Sequence, residues 1–256
     1  MLLEGKTDKE FFDKFIPIYE EITGSRLYNI YIDKMDGIDT LNNKLLVYTR
    51  ALKEIVPDTC EWIVLRDSDC VPISCQQDVK NNHLGFMRVP NKKIYFQNGY
   101  GIESTFIAEP EMLAQLLAKY YNIDLTECSY ITNLLENQNQ NYATRVLMTT
   151  DSLNKELEEH FNRQKRERKE PIYEDLSYRD MLAEINQVSI QYIMTKKIIN
   201  IYLSDIHNTL GNQYNLTKER LTDKTIFEEY YVQINTIEDM FEAHKELMIK
   251  FYKELF

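Results

Sequence analysis

The sequence predicts an α/β protein, with a small, mostly parallel sheet flanked by helices over residues 1 to about 125 and an α-helical region over residues 126–256. Three observations predict it. Six of the seven glycines (Gly5, Gly24, Gly37, Gly85, Gly99 and Gly101) fall in the first 101 residues, where short strands and helices would need frequent punctuation. Short apolar runs of strand length alternate there with stretches whose apolar residues recur every three or four positions. Beyond that part only Gly211 interrupts the chain, and helical periodicity continues to the end.

Met1–Glu4 reads as a very short strand, Gly5-Lys6-Thr7 as a turn, and Asp8–Thr23 as a helix. Phe11, Phe12, Phe15, Ile16, Tyr19 and Ile22 give that helix one apolar stripe. Pro17 predicts a kink and Gly24 an end. Leu27–Ile32, rich in Tyr and Ile, suits a second strand closed by the Asp36-Gly37 turn. A helix over Asp39–Val56 follows, built on Leu41, Leu45, Leu46, Tyr48 and Leu52 and stopped by Pro57. Trp62–Leu65 is continuously apolar, as a strand buried on both faces must be. Ile94–Phe96 is another strand, with a turn at Asn98-Gly99 and a helix over Ile102–Tyr121 that Pro110 bends or interrupts. Asn137–Asn141 reads as a loop, Asp151–Lys169 as a charged helix and Ser189–Leu203 as a strong one. Ile237, Met240, Phe241, Leu247, Met248, Phe251, Tyr252 and Leu255 form a last helical stripe.

The 43% hydrophobic and 28% charged content excludes a wholly disordered or collagen-like chain. Thirty Lys and Arg against 41 Asp and Glu, a net charge of -11, argue against non-specific coating of nucleic acid. They do not exclude a nuclease, because a carboxylate-lined metal site is itself acidic. No stretch approaches the roughly 20 apolar residues of a membrane span. The opening Met1-Leu2-Leu3-Glu4 lacks the pattern of a secretory leader, so a cytoplasmic protein without membrane attachment is expected. Cys60, Cys70, Cys75 and Cys128 have no C-x-x-C spacing and read as reduced thiols, several of them buried. His83, His160, His207 and His244 have no metal-ligand spacing; His244, on the last apolar stripe, reads as a packed residue.

The acids carry the chemical signal. Glu4 ends the first strand, and Asp67 and Asp69 end the third; in a parallel sheet those ends share one edge, where ligands sit in open α/β folds. Asp67 and Asp69 are two residues apart on an extended segment and therefore face the same side. Clustered carboxylates repel one another unless some take up protons or a hard cation such as Mg²⁺ or Mn²⁺ joins them. A lone Asp-x-Asp also suits a solvated turn. Gly5-Lys6-Thr7 is not the end of a phosphate-binding loop, which needs a glycine five positions earlier.

Leu2-Leu3-Glu4-Gly5-Lys6-Thr7-Asp8, Leu65-Arg66-Asp67-Ser68-Asp69 and Tyr100-Gly101-Ile102-Glu103 together resemble the three acidic motifs of a Toprim domain. More narrowly they are similar to the Toprim nuclease subunits of PARIS anti-phage systems, and more distantly to the OLD (overcoming lysogenization defect) nucleases. The resemblance spans roughly residues 1 to 110. It implies a Mg²⁺- or Mn²⁺-dependent endonuclease acting on RNA, tRNA included, or on DNA. Glu4 would be general base or metal ligand, Asp67 and Asp69 metal ligands, and Glu103 and Asp8 supporting acids for a second metal. Lys6 would steady the scissile phosphate. The implied partners are a separate ABC-type ATPase and a second copy of the chain, with the helical region serving dimerisation, substrate or partner contact.

Plainer readings stand beside these. Lys6 suits a solvated turn, Asp8 a cap of the first helix, and Glu103 an acid facing a helix macrodipole. Ser104 stands where relatives tend to carry Asn. The basic run Arg163, Lys165, Arg166, Arg168 and Lys169 could follow a nucleic-acid backbone or form a solvated helix face beside Glu158, Glu159, Glu167 and Glu170. Two rival functions remain: an inactive Toprim-like scaffold, and a nuclease of RNA maturation without a defence role.

Overall fold

The computed structural model describes residues 1–26, 30–35, 41–52, 54–55, 59–168, 175–185 and 189–254. In chain order the elements are β1 (Leu2–Leu3), α1 (Lys6–Thr23), β2 (Asp33–Lys34), α2 (Leu41–Leu52), β3 (Trp62–Arg66), α3 (Ile73–Phe86) and β4 (Lys92–Phe96). They continue with α4 (Thr105–Ala108), α5 (Pro110–Tyr121), α6 (Cys128–Leu147), α7 (Ser152–Arg168), α8 (Tyr178–Ile185), α9 (Lys196–Gln213), α10 (Thr225–Gln233) and α11 (Glu242–Glu254). Short 3₁₀ turns at Ile102–Ser104, Leu125–Glu127, Ile190–Ile193 and Ile237–Asp239 join several of them.

The protein is α/β: the strands form one parallel sheet in the order β2-β1-β3-β4. Its register explains the apolar runs. Leu2 aligns with Val64, and Val64 with Ile94, so these side chains share one face, where Met35, Leu45 and Met87 cover them. Leu3 aligns with Leu65, and the opposite face packs on Phe11, Phe12 and Phe15 of α1. The sheet is thus buried on both sides, which is why β3 is apolar without alternation.

That second core continues into the helical region. Phe106 of α4 meets Phe227 and Tyr230 of α10 and Phe241 at ring-centroid distances of 5.0, 5.4 and 4.8 Å, all edge-on. Phe11 reaches Phe227 at 5.7 Å. One apolar core therefore runs from Leu3 to Met248.

Several expectations are corrected. The second strand is at Asp33–Lys34, and residues 30–32 of the expected Leu27–Ile32 lie outside it, because the backbone of residues 33 and 35 pairs with Met1 and Leu3. Residues 27–29, the Asp36-Gly37 turn, Pro57 and the ends of the helix expected over Asp39–Val56 lie outside the described residues. Lys6 and Thr7 already belong to α1, which runs through Pro17 without a break. Pro110 interrupts rather than bends: it takes the first turn of α5, where its missing N–H costs nothing.

Asn137–Asn141 is not a loop but the middle of α6, whose buried Ile131, Leu135, Tyr142 and Val146 dictate a helix. The amide of Asn139 there donates to Ile107 O and accepts from the Tyr202 hydroxyl. Ser189–Leu203 splits at Thr195, which caps α9 by accepting from Ile198 N–H at 3.2 Å. The last stripe also breaks, with Met240 extended between a 3₁₀ turn and α11. Phe251, Tyr252 and Leu255 lie outside the described side chains. The four cysteines are free, and Cys70 is the buried one. Among the described residues no helix is long and apolar enough to cross a membrane.

Candidate functional site

Parallel pairing of β1 with β3 brings Glu4 and Asp67 to the same sheet edge. Asp67 N–H donates to Glu4 Oε2 at 3.1 Å. The next residues are fastened to the loop after β4: Ser68 Oγ donates to Gln97 O at 2.6 Å, and Asp69 N–H to Tyr100 O at 2.8 Å. Asp69 takes a left-handed φ of 45°, a strained conformation that this fastening holds. Gln97 Nε2 donates to Asp8 Oδ1 at 2.8 Å, tying the same loop to α1, and Asp8 Oδ2 accepts Gly5 N–H at 3.0 Å. Asp8 is therefore both the cap of α1 and a member of the acidic group.

Glu103 arrives from the 3₁₀ turn after Gly101. A Cβ on Gly101 would lie 3.1 Å from Glu103 Oε2 and 3.3 Å from Asp67 Oδ2, so the absence of a side chain leaves room for both carboxylates. Ser104 Oγ donates to Gly101 O at 2.6 Å and so fixes this loop. Gly99 needs to be glycine: its φ is +133°, and a Cβ there would sit 2.5 Å from Ser104 Oγ.

Glu4, Asp8, Asp69 and Glu103 are all buried, and Asp67 is half-buried. Burial pushes the Asp67 carboxyl well above the usual carboxylate range, and the charges of Asp8, Glu4, Asp69 and Glu103 push it further. The five predicted acids therefore lie within one another's fields. Burial and then Glu103 raise Asp8 to about 6, against hydrogen bonds from Gly5 and Gln97 and the charge of Lys196. Asp67 Oδ1 is sealed from solvent with no hydrogen-bond partner. Such an orphaned acceptor is costly unless something donates to it or binds it.

Lys6 pairs with Glu10 at 3.1 Å and its side chain is 74% exposed. Among the described residues a cation that reaches the acids is Lys196, the first residue of α9. Its Nζ lies 2.6 Å from Glu103 Oε1 and donates to Thr7 Oγ1 at 3.2 Å. Burial opposes its charge, yet Glu103, Asp67 and Asp8 raise its pKa above the ordinary value. Sequence reasoning missed Lys196 because a lysine opening a helix, remote in the chain from every acid, carries no local signal. It also missed Gln97, which is ordinary until the fold sets it beside Asp8.

Among the described residues no three His, Cys, Asp or Glu side chains converge into a ready-made cation cage. The hydrogen bonds explain this, since the oxygens of Asp8, one oxygen of Glu4 and one of Glu103 are turned onto Gly5, Gln97, Asp67 and Lys196. The donor set nevertheless fits a hard divalent cation: it is all carboxylate oxygen, and Asp67 Oδ1 is left unsatisfied. No protein-family model, no curated protein and no solved structure matches the chain, so what the site can do is argued from these side chains.

Proposed function

We propose that the protein is a Mg²⁺- or Mn²⁺-dependent Toprim-type endonuclease. The observation that carries this reading is Asp67, a carboxyl with one orphaned oxygen, set among four further acids at the carboxyl edge of a parallel sheet. A scaffold has no need of five like charges at one edge; a cation turns their repulsion into binding energy. Asp67, Asp69 and Glu4 would hold the principal ion, with Glu103 and Asp8 available to a second. When bound, such ions polarise the scissile phosphoryl group and lower the pKa of water.

The chain's own groups do the rest. Lys196, half-exposed at the mouth and paired with Glu103, offers its ammonium to a phosphate oxygen, the task the sequence suggested for Lys6. Asp67, held well above the ordinary carboxylate range by burial and by its acidic neighbours, is an acid whose proton an arriving cation would displace. Gly101 keeps the approach to Asp67 and Glu103 open. The resemblance to PARIS subunits extends the proposal to an anti-phage effector that cleaves RNA, tRNA included, or DNA. It works as a homodimer under the control of a separate ABC-type ATPase.

Purified protein, incubated with RNA or DNA and Mg²⁺ or Mn²⁺, is expected to cleave, and Asp67→Asn and Glu4→Ala are expected to stop cleavage without unfolding. Wild-type activity in both variants would overturn the proposal. A protein silent alone is assayed again with its neighbouring ATPase and a phage trigger. The Lys196–Glu103 pair also favours a second reading, a scaffold in which the ammonium permanently replaces the metal. That reading predicts no rise in melting temperature with Mn²⁺, whereas the nuclease predicts a rise that Asp67→Asn removes.

A further inference from the structure

Two grooves meet on the helical side of the acids. One, of about 470 Å³, lies between α7 and the start of α9 and is lined by His160, Arg163, Arg166 and Lys197, with Glu156 and Glu159. The other, of about 450 Å³, is lined by Lys196, Lys197, Asn200, Ser204, Asp205 and Arg220. They share Lys197, and its neighbour Lys196 reaches Glu103. The first groove also touches the site through His160, which hydrogen-bonds the Tyr100 hydroxyl, while Tyr100 O holds Asp69 N–H.

Five cations line the pair of grooves against three carboxylates, a local reversal on a chain of net charge -11. Two of those carboxylates are engaged: Glu156 pairs with Lys197, and Asp205 accepts the Tyr142 hydroxyl at 2.7 Å. Arg163, Arg166 and Arg220 are exposed. The basic run is thereby divided. Arg163 and Arg166, three apart on one helix face, line the groove, whereas Lys165 turns away to donate to Leu176 O.

The carboxylates lie below this surface, with Asp8 and Glu103 each 3% exposed. A strand lying on both grooves must bend to bring one phosphate to acids this deeply buried, and an unpaired strand bends at less cost than a duplex. We propose that a single-stranded segment of nucleic acid lies along both grooves. Its backbone contacts Arg166, Arg163 and Arg220, and it dips at Lys196 towards the acids. The path over the acids rests on the nuclease reading; the grooves as a binding track do not.

The test is fluorescence anisotropy in EDTA, which separates binding from hydrolysis, using a labelled single-stranded RNA of about 16 nucleotides and the duplex of the same sequence. The single strand is expected to bind at least about tenfold tighter than the duplex. Arg163→Glu with Arg166→Glu, and separately Arg220→Glu, are each expected to weaken binding about tenfold and to flatten its salt dependence. Circular dichroism confirms that these surface variants fold. Equal binding by wild type and variants, a preference for duplex, or no binding by wild type overturns the inference. A wild type that binds in EDTA yet does not cleave with Mg²⁺, either alone or with the ATPase and trigger added, defeats the nuclease reading alone. A wild type that cleaves while the groove variants bind and cleave as it does defeats the groove alone.

Discussion

Glu103 and Thr105 are near neighbours in the chain, yet each belongs to a buried polar group of opposite character. Thr105 serves His244. The threonine hydroxyl spends its proton on Ile102 O at 2.6 Å, so His244 Nε2–H donates to it at 2.9 Å. The Tyr230 hydroxyl lies 3.3 Å from Nδ1 and itself accepts Phe241 N–H at 3.1 Å. Phe11, Phe106 and Phe15 surround the imidazole at 4.8, 5.5 and 5.7 Å, and burial lowers its pKa to about 3. The ring is neutral and satisfied. Glu103 joins acids that are buried against like charge, with an orphaned oxygen among them. Both kinds of group can become neutral, but the imidazole does so with its polar atoms paired, whereas the acids leave Asp67 Oδ1 unpaired and so mark a place that needs a partner.

The largest expected effect breaks the satisfied side. Phe106→Ala opens a cavity where four aromatic side chains meet, and chemical denaturation is expected to show a loss of about 3–5 kcal/mol. A loss below about 1 kcal/mol would mean that the two halves of the chain do not share this core.

pH dependence sharpens the contrast, because the two regions respond in opposite directions. Asp8 is raised from 3.8 to about 6, so its stabilising contribution is full below the lower value and is lost as pH rises through the upper. His244 is lowered from 6.5 to about 3, so its contribution is full above the upper value and is lost as pH falls towards the lower. The opposing slopes overlap between about pH 4 and 6. Without metal, Asp8→Asn is expected to make stability rise more steeply with pH across that window, and His244→Gln to make it fall. Urea titrations near both ends of the window measure this; unchanged slopes in both variants would refute the assignment.

Lys196→Ala removes the internal cation. Its side chain is 51% exposed, so a loss of only about 1 kcal/mol is expected in EDTA, with a larger rise in melting temperature on adding Mn²⁺ than wild type shows. An identical response to Mn²⁺ would separate Lys196 from the proposed metal site. The smallest stability effect belongs to Gly101→Ala. Its φ of -153° suits any residue, so the loss should stay below about 1 kcal/mol, while the added methyl crowds Asp67 and Glu103 and blunts the Mn²⁺ response.

What was legible in the sequence followed from short-range rules. Trp62–Leu65 could only be a buried strand, and parallel strands put Glu4 and Asp67 on one edge without knowledge of any contact. The strand at Asp33–Lys34 was not legible, since two half-buried polar residues become a strand only by pairing with β1. α3 was passed over because its sequence shows little apolar periodicity and buries few side chains, chiefly Val79 and His83. Asn137–Asn141 misled because amide composition was weighed above the flanking stripe that buries α6. Among site residues, the acids could be read because strand ends position them. Lys196 could not, because its place depends on how α9 docks.

One of the two inner strands of the sheet is also among its shortest, the pair Leu2 and Leu3. Leu2 and Leu3 must wait for Val64 and Leu65 before they have a neighbour to hold them, and the ammonium that tempers the acids arrives only at position 196. During synthesis, therefore, the charged pocket closes only after residue 196 has emerged to meet acids laid down nearly a hundred positions or more earlier.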